Sequence, residues 1–239
     1  MEPSLGTLYM IPCPIDESGE VWRTLPEANR AVMASLDYFI VEELRTARRF
    51  LAKAGLGRPV AELEFRELNE HTTDPREVEQ LMKPLLEGRS AGMISEAGVP
   101  GVADPGALAA AFCHRHGIRV VPLVGPSSLL LALMASGLNG QSFAFNGYLP
   151  VKPAERAREL KRFEHRARTE GQSQLFIETP YRNRTLAEQI VQQCRPDTRL
   201  TIAVDLTAPT EWIRTDTIEG WRRRPLPDLH KRPAIFILG

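Results

Sequence analysis

Apolar residues in the first half of the chain alternate between two spacings, which predicts strands and helices in turn. Short apolar runs are typical of buried strands, and the longer stretches between them repeat apolar residues at helical spacing. The predicted strands are Thr7–Pro12, Tyr38–Val41, Phe65–Leu68, Ala91–Ile94 and Ile118–Val121. The predicted helices are Leu25–Leu36, Leu44–Ala54, Pro75–Glu87, Gly106–His116 and Ser127–Ala135. This order predicts a mostly parallel sheet with helices on both faces.

The second half continues the alternation after a break at Gly137-Leu-Asn-Gly140. We therefore predict two α/β domains, covering residues 1–139 and 140–239. The predicted strands of the second domain are Phe143–Gly147, Gln174–Ile177, Leu200–Asp205, Trp212–Thr215 and Ala234–Leu238. Its predicted helices are Pro153–Arg168 and Asn183–Gln193, and residues 222–227 read as a surface loop.

Charge and cysteine content exclude several classes of protein. Lys and Arg together number 30, as do Asp and Glu, so the formal net charge is zero. RNA binding would therefore need a local basic patch. Three scattered cysteines argue against a disulfide framework or a zinc site, and we predict no metal. The N-terminus lacks the pattern of a signal peptide and no apolar run reaches membrane-spanning length, so we expect a cytoplasmic protein.

The segment Ser95–Gly106 is the strongest candidate for a ligand-binding loop. It follows a predicted strand and precedes a helix, where ligands of α/β sheets bind. Its glycines allow a ligand to approach the backbone, and its prolines fix the loop shape. A plain strand-to-helix connection is the alternative, but the segment is longer than such a turn needs.

Two further strand ends carry polar groups. Gly125-Pro-Ser-Ser128 opens an apolar helix, where a serine either caps the helix or binds a polar ligand with backbone amides. Glu178-Thr-Pro-Tyr-Arg-Asn183 combines a carboxylate, a phenol and a guanidinium, although an ordinary loop could be this polar. No GxGxxG fingerprint follows a strand, and no GxxxxGK[ST] or GxSxG motif is present, which disfavours dehydrogenases, P-loop NTPases and α/β-hydrolases.

Five motifs in order resemble the tetrapyrrole methylase superfamily, and within it the ribosomal RNA small-subunit methyltransferase I family, which 2′-O-methylates a cytidine of 16S RNA. They are Ile94-Ser-Glu-Ala-Gly-Val-Pro100, Asp104-Pro-Gly106, Val121-Pro-Leu-Val-Gly-Pro-Ser127, Ala135-Ser-Gly-Leu138 and Phe145-Asn-Gly-Tyr-Leu-Pro150. Weaker agreement comes from Glu42 and Arg45, Asn69-Glu70, Lys152 with Glu155-Arg156, and Ile177–Arg182. The resemblance runs from Gly6-Thr-Leu-Tyr9 to the last strand.

The resemblance implies two αβα domains with S-adenosylmethionine in the cleft between them, and a homodimer. The cofactor contacts that it implies are Pro14, Ile15, Gly98, Val99, Pro100, Val102, Ser127, Ser128, Ile177, Glu178, Val204 and Pro233. Three segments depart from the family. In the first loop, the family's Thr-Pro-Ile-Gly-Asn-Leu is replaced here by Cys13-Pro-Ile-Asp-Glu-Ser18. The family's Glu-Asp-Thr-Arg is replaced by Glu42-Glu-Leu-Arg45, and its Arg-Glu-Leu-Thr-Lys by Asp205-Leu-Thr-Ala208. These changes bear mainly on the acceptor.

Methyl transfer from a sulfonium mainly requires alignment of two reactants, and a 2′-hydroxyl must also lose a proton. Glu178 and Glu43 are candidate proton acceptors, and both could equally be structural. For RNA, we expect contacts from basic residues of one helix, where Arg158, Arg162 and Arg166 form a row at four-residue spacing. The remaining candidates are Lys152, Arg156, Lys161 and Arg168.

Three functions remain open at this point. The first is an RNA ribose methyltransferase, and the second is a methyltransferase of a small molecule such as a tetrapyrrole. The third is a non-catalytic module that binds the cofactor or RNA and assists ribosome assembly. The basic helix favours the first over the second, although a solvated helix face would explain it too. The substituted first loop keeps the third open.

Overall fold

The computed structural model describes residues 4–69, 72 and 74–239. The chain separates into two compact units, Met1–Ser127 and Ser128–Gly239. Each unit is an α/β layer structure around its own five-stranded sheet, so the predicted fold class of two αβα domains is confirmed.

The first unit contains a fully parallel sheet. Its strands are β1 (Thr7–Ile11), β2 (Tyr38–Val41), β3 (Glu64–Glu67), β4 (Ala91–Ile94) and β5 (Arg119–Pro122), in the order β3-β2-β4-β1-β5. The helices are α1 (Ala28–Ser35), α2 (Leu44–Ala54), α3 (Pro75–Leu86) and α4 (Gly106–Arg115), with short 3-10 helices at Val21–Arg23 and Val60–Glu62. All carboxyl ends of the strands therefore lie at one edge of this sheet.

Alternate residues of the strands feed two separate cores. In β2, Tyr38 and Ile40 pack with α3 and α4, whereas Phe39 and Val41 pack with α1 and α2. Because neighbouring residues of a strand point to opposite faces, an entirely apolar strand needs helices on both sides. The prediction of helices on both faces is confirmed here.

The second unit has a mixed sheet. Its strands are β6 (Phe143–Tyr148), β7 (Ser173–Ile177), β8 (Arg199–Val204), β9 (Trp212–Thr217) and β10 (Ala234–Leu238), in the order β6-β7-β10-β8-β9. Only β6 and β7 pair in parallel. The helices are α5 (Ser128–Ser136), α6 (Pro153–Glu170), α7 (Asn183–Gln193) and α8 (Ile218–Arg222).

Helix α5 belongs to the second unit, so this unit begins one helix earlier in the chain than the predicted boundary. The hydroxyl of Thr215 in β9 donates to the carbonyl of Ser136 at 2.7 Å, and Thr215 lies opposite Thr201 in β8. Leu200 and Ile202, the neighbours of Thr201 in β8, belong to the core that the sheet forms with α6, α7 and α8. Thr201 and Thr215 therefore lie on the opposite face of the sheet, where α5 packs. The break at Gly137 therefore separates two elements of the same unit.

Most predicted elements match the structure within one or two residues. The first helix begins at Ala28 and not at Leu25, since Pro26 interrupts the run before it. The predicted surface loop at 222–227 begins one residue too early, because Arg222 is the last residue of α8. The Arg222 guanidinium donates to the carbonyl of Cys194 at 2.9 Å. All three cysteines are free and buried, as expected for core thiols.

Candidate functional site

Three loops of the first unit meet at the carboxyl edge of its sheet. Backbone hydrogen bonds join Cys13, after β1, to Gly98, after β4: the Cys13 N–H donates to the Gly98 carbonyl at 2.7 Å, and the Gly98 N–H donates back at 3.2 Å. A Cβ atom on Gly98 would lie 3.6 Å from the carbonyl oxygen of Pro126, in the loop after β5. The predicted strand-end segments at 95–106 and 125–128 are thus neighbours.

Glycine is required in these loops for two different reasons. Gly98 has a φ of +72°, a conformation that residues with a side chain adopt at a cost. A Cβ atom on Gly125 would lie 2.3 Å from the ring of Pro12, so here only glycine lets the loop after β5 pack against the end of β1. Backbone atoms therefore form much of this edge.

Asp104 holds the long loop after β4 in shape. Its carboxylate accepts the N–H groups of Gly101 at 2.8 and 2.9 Å and of Gly106 at 2.7 Å. Burial raises the pKa of Asp104, and the backbone N–H donors offset part of that effect. The sequence indicated this role only through the Asp-Pro-Gly motif, because no helical or strand periodicity marks a loop brace.

The predicted cofactor contacts of the first unit gather around these loops. Pro14 is buried beside Cys13, Ile15 is partly buried, Val99 and Pro100 are half-buried, and Val102 is 44% exposed. Ser127 immediately precedes α5, and Ser128 is its first residue, as predicted for a helix opening at this strand end. The structure thus brings Pro14, Gly98 and the residues beside Ser127 to one edge.

The substituted first loop is anchored to its surroundings. The Asp16 carboxylate accepts from the backbone N–H and the hydroxyl of Ser18 at 2.9 and 2.7 Å, and these hydrogen bonds lower its pKa. Glu17 pairs with Arg49 of α2, and the ammonium of Lys53 donates to the Glu17 carbonyl. The departure from the family pattern therefore still gives a loop fixed by specific contacts.

The predicted residues of the second unit also share one sheet edge. Ile177 at the end of β7 pairs with Ile235, and Val204 at the end of β8 pairs with Ala234. The Asp205 N–H donates to the carbonyl of Pro233 at 3.0 Å. The ends of β7 and β8 and the start of β10 therefore place Ile177, Val204 and Pro233 side by side.

Glu178 follows β7 and its side chain is fully buried. One carboxylate oxygen, Oε1, accepts from the Arg182 guanidinium at 2.6 Å and from the Thr179 N–H at 2.7 Å. The other oxygen, Oε2, is buried and has no hydrogen-bond partner among the described residues. An unpaired buried carboxylate oxygen is costly, so this atom is a candidate acceptor for a ligand.

Arg232 connects the loops around this edge, a role that the sequence did not indicate. Its guanidinium donates to the Asp205 carboxylate at 2.7 Å and to the Thr210 carbonyl at 2.7 Å. Its own carbonyl accepts from the amide of Asn183 at 2.7 Å, at the start of α7. Arg232 thus holds together the loops after β7 and β8 and the turn before β10.

Among the described residues, the non-glycine residues with strained backbone lie in loops at strand ends. Four non-glycine residues of the described part have positive φ: Ala103 in the loop after β4, Asp205 and Thr207 after β8, and Lys231 before β10. Such conformations cost energy and are common at functional sites. Both candidate edges are therefore distinguished by their backbone as well as by their side chains.

Glu43 has a structural role. Its carboxylate caps α2 by accepting the N–H groups of Arg45 at 2.9 Å and of Thr46 at 2.6 Å, one with each oxygen. A side-chain hydrogen bond with Thr46, together with these backbone hydrogen bonds, lowers the pKa of Glu43, which makes it a weaker proton acceptor. The preceding Glu42 accepts the Glu96 N–H at 3.0 Å and so braces the loop after β4. We do not propose Glu43 as a base.

The cap predicts a pH-dependent loss of stability. Replacing Glu43 with alanine is expected to lower the free energy of unfolding by about 1 kcal/mol at neutral pH. Because the folded-state pKa lies below the unfolded one, the carboxylate stabilises at pH values above the unfolded pKa, and its contribution disappears as pH falls through the lowered value. In urea unfolding, the difference in free energy between wild type and Glu43→Ala should shrink below about pH 4. Glu43→Asp should keep most of the wild-type stability, because aspartate can still cap the helix. An equal difference between wild type and Glu43→Ala at every pH would contradict the capping role.

The basic helix α6 exposes only part of the predicted RNA-binding set. Leu160, Phe163 and Ala167 are buried as predicted. In the arginine row, Arg158 and Arg162 are exposed and Arg166 is partly buried. Arg162 pairs with Glu159 and Arg166 with Glu170, whereas Arg158 has no partner among the described residues. Surface pairs of this kind are weak, so they could be exchanged for phosphate contacts.

Arg156 was wrongly predicted to face RNA. It is 4% exposed, and its guanidinium donates to the side chain of Gln189 in α7 and to the Val151 carbonyl at 3.3 Å. Arg156 precedes Leu160 by four residues, so it lies on the inward stripe of the helix. Lys152 pairs with Glu155 at 3.2 Å and remains exposed. Glu70, in the weakly matching Asn69-Glu70 pair, lies outside the described residues.

No helix in the described residues is both long and apolar enough to span a bilayer. Within the same residues, no group of three or more His, Cys, Asp or Glu side chains could hold a metal ion.

Residues 22–220 match the family Tetrapyrrole (Corrin/Porphyrin) Methylases. The chain belongs to this methylase family. A ribosomal RNA small subunit methyltransferase I from Xylella fastidiosa (strain Temecula1) is 31% identical over 236 residues, which cover 98% of this chain and 80% of the relative. The protein of the same name from Escherichia coli O157:H7 is 31% identical over 88% of this chain and 68% of its own length.

Solved structures show the same fold. The methyltransferase CobJ has a TM-score of 0.63 at 20% identity, covering 98% of this chain and 94% of its own. Uroporphyrin-III C-methyl transferase from Thermus thermophilus, complexed with S-adenyl homocysteine, has a TM-score of 0.54 at 15% identity and covers 97% of its own chain. The predicted family, fold and methyltransferase class are confirmed.

Proposed function

We propose that this methylase transfers a methyl group from S-adenosylmethionine to a ribose 2′-hydroxyl of ribosomal RNA. The observation that carries the proposal is the match over 98% of the chain to a relative named ribosomal RNA small subunit methyltransferase I. The likeness to tetrapyrrole-modifying enzymes lies at 15–20% identity, which is a likeness of fold and does not favour a tetrapyrrole acceptor.

The two sheet edges have the chemistry that the methyl donor requires. S-adenosylmethionine carries ribose hydroxyls and amino groups, which are hydrogen-bond donors. Buried acceptors without partners among the described residues include Glu178 Oε2 and Asn183 Oδ1, both at the edge of the second sheet. In the first unit, Gly98 lacks a side chain where the loops after β1, β4 and β5 meet, so its backbone can be approached closely. The residues present therefore fit the donor, and the proposed contacts are those named from the resemblance.

The donor supplies an electrophilic methyl group on a sulfonium and leaves as S-adenosylhomocysteine. In the proposed reaction, the 2′-oxygen forms a bond to the methyl carbon while the carbon–sulfur bond breaks and its electron pair stays on sulfur. The protein would contribute mainly by fixing the approach of the two reactants. The hydroxyl proton passes to a carboxylate or to water, and Glu178 is the proposed carboxylate because Oε2 has no other partner among the described residues.

Transfer to separated pools tests the function. Purified protein would be incubated with radiolabelled S-adenosylmethionine and, separately, with small-subunit ribosomal RNA, total protein and a small-molecule extract. We expect label in the RNA alone, and in alkali-resistant dinucleotides, because a 2′-O-methyl group blocks strand cleavage at that ribose. Label in the small-molecule pool would support the tetrapyrrole-type alternative. Donor binding without transfer to any pool would support the non-catalytic alternative.

The arginine row of α6 gives a second test. Replacing Arg158, Arg162 and Arg166 with glutamine keeps good helix formers and should leave folding and donor affinity unchanged. RNA affinity should fall, and the logarithmic salt dependence should flatten by roughly 0.7–0.9 for each lost phosphate contact. The measurement is RNA binding across a salt series.

The matched control removes the same charge elsewhere. Arg76, Lys83 and Arg119 are exposed cations of the first unit, and their triple glutamine variant should bind RNA like wild type. Equal salt slopes for wild type and the α6 variant would remove the row from the mechanism.

We also propose a cytoplasmic homodimer. Helix α5 packs one side against its sheet yet exposes Leu130 at 49% and Met134 at 79%, and apolar side chains on a helix surface favour a partner. Light scattering at micromolar concentration is expected to give twice the chain mass of 26.7 kDa. A monomer under those conditions would contradict the dimer.

A further inference from the structure

An aromatic ring and a cation lie together at the edge of the second sheet. Tyr181, in the loop after β7, is 74% exposed. The ammonium of Lys231, in the turn before β10, lies over its ring, 5.8 Å from the ring centre. The two residues belong to the loops that also contain Glu178 and Pro233.

The surrounding contacts hold this pair in place. Arg182, next to Tyr181, is fixed by its ion pair with the buried Glu178 at 2.6 Å, and its N–H donates to the Thr179 carbonyl at 2.9 Å. Asn183 donates to the carbonyl of Arg232, which joins the two loops directly beside Tyr181 and Lys231. The ring is therefore presented by a braced turn.

Core packing explains neither residue. Three quarters of the Tyr181 side chain is in solvent, and Lys231 adopts a φ of +57°, which costs energy for a residue with a side chain. An exposed aromatic on a fixed turn, with a cation on one face and solvent around the rest, suits recognition of a flat, negatively charged ligand. An unpaired nucleotide has both properties, since its base has a π-face and its phosphate is anionic.

We propose that Tyr181 is a stacking platform for an unpaired RNA base next to the nucleotide that is methylated, and that Lys231 contacts a phosphate of the same strand. This inference rests on the proposed RNA methyltransferase function. It assigns a positioning role to a surface that lies apart from the arginine row on α6. Stacking on Tyr181 would hold the strand at the sheet edge where the proposed donor contacts Ile177 and Glu178 lie.

The test compares four single variants for binding of a fluorescein-labelled single-stranded RNA of ten nucleotides and of S-adenosylhomocysteine. Tyr181→Ala should weaken RNA binding about tenfold, a typical effect of losing one stacked base, and Tyr181→Phe should bind like wild type because the ring remains. Lys231→Gln should weaken RNA binding and flatten the salt slope by roughly 0.7. Phe143→Ala is the matched control and should bind RNA like wild type. Phe143 is also an exposed aromatic residue, but it lies at the start of β6.

A second readout reports stacking directly. With 2-aminopurine in the RNA, wild type and Tyr181→Phe should quench its fluorescence on binding, and Tyr181→Ala should not. S-adenosylhomocysteine affinity should be the same in all variants. Unchanged RNA binding by Tyr181→Ala overturns the inference, as does a parallel loss of S-adenosylhomocysteine affinity, which would place the ring against the donor.

The two proposals fail in different ways. If wild type binds and methylates RNA while Tyr181→Ala does so equally well, the platform is wrong and the proposed function stands. If wild type neither binds nor methylates RNA, both proposals fall.

Discussion

Replacing Gly98 with valine is expected to weaken S-adenosylhomocysteine binding by an order of magnitude or more. Gly98 has a φ of +72°, where a β-branched side chain is strongly disfavoured. The loop would relax toward negative φ and break the paired hydrogen bonds between Cys13 and Gly98. Since these backbone atoms are proposed to border the donor, the binding surface itself would change.

Isothermal titration and urea unfolding together separate this effect from general damage. Gly117→Val is the matched control, since Gly117 has a φ of +69°, has no atom within 4 Å of its would-be Cβ, and lies between α4 and β5, at the opposite edge of the sheet. Both variants should lose stability, Gly98→Val the more because it also breaks the hydrogen bonds to Cys13, and only Gly98→Val should lose affinity. Normal binding by Gly98→Val would mean that the loop is only a connection between β4 and α4.

The second large effect is expected at Glu178. Glu178→Gln keeps the shape of the side chain and an acceptor for the Thr179 N–H, but removes the charge from the buried oxygen that has no partner among the described residues. A ligand hydrogen bond to a charged group contributes about 1.5–3 kcal/mol, so donor affinity should fall roughly ten- to a hundredfold. The control is Glu188→Gln on α7, whose pair with Arg184 is exposed.

The pattern of losses distinguishes the roles of Glu178. Reduced donor affinity with little further loss in kcat would make it a donor contact. Normal affinity with a large loss in kcat would make it the proton acceptor. If both constants equal those of wild type, Glu178 serves only to brace Arg182.

Periodicity allowed the strands and most helices to be predicted, because burial on both faces leaves an uninterrupted apolar run. Tyr38–Val41, Ala91–Ile94 and Ala234–Leu238 have the predicted bounds for this reason. The unit boundary could not be predicted in the same way. The glycines at 137 and 140 mark a break in the chain, but the unit to which α5 belongs depends on its packing against β9 and β10, which local sequence does not specify.

The candidate site shows the same division between local and long-range information. Polar residues at strand ends pointed to Gly98, Ser127 and Glu178 because parallel strands bring their ends together. The brace formed by Arg232 depends on contacts with residues far along the chain, and nothing in its own neighbourhood indicated it. Arg156 was predictable in principle, since its spacing from Leu160 and Phe163 puts it on the buried stripe.

The reactivity of the buried cysteines can report the unfolding of each unit separately. Cys13 and Cys113 lie in the first unit and Cys194 in the second, and burial raises the pKa of all three thiols, to about 11 for Cys113 and about 12 for Cys194. Only the thiolate attacks a disulfide reagent, so these buried thiols do not react until the structure around them unfolds. The order in which Cys113 and Cys194 become reactive in dilute urea would therefore show whether the two units unfold together or one after the other.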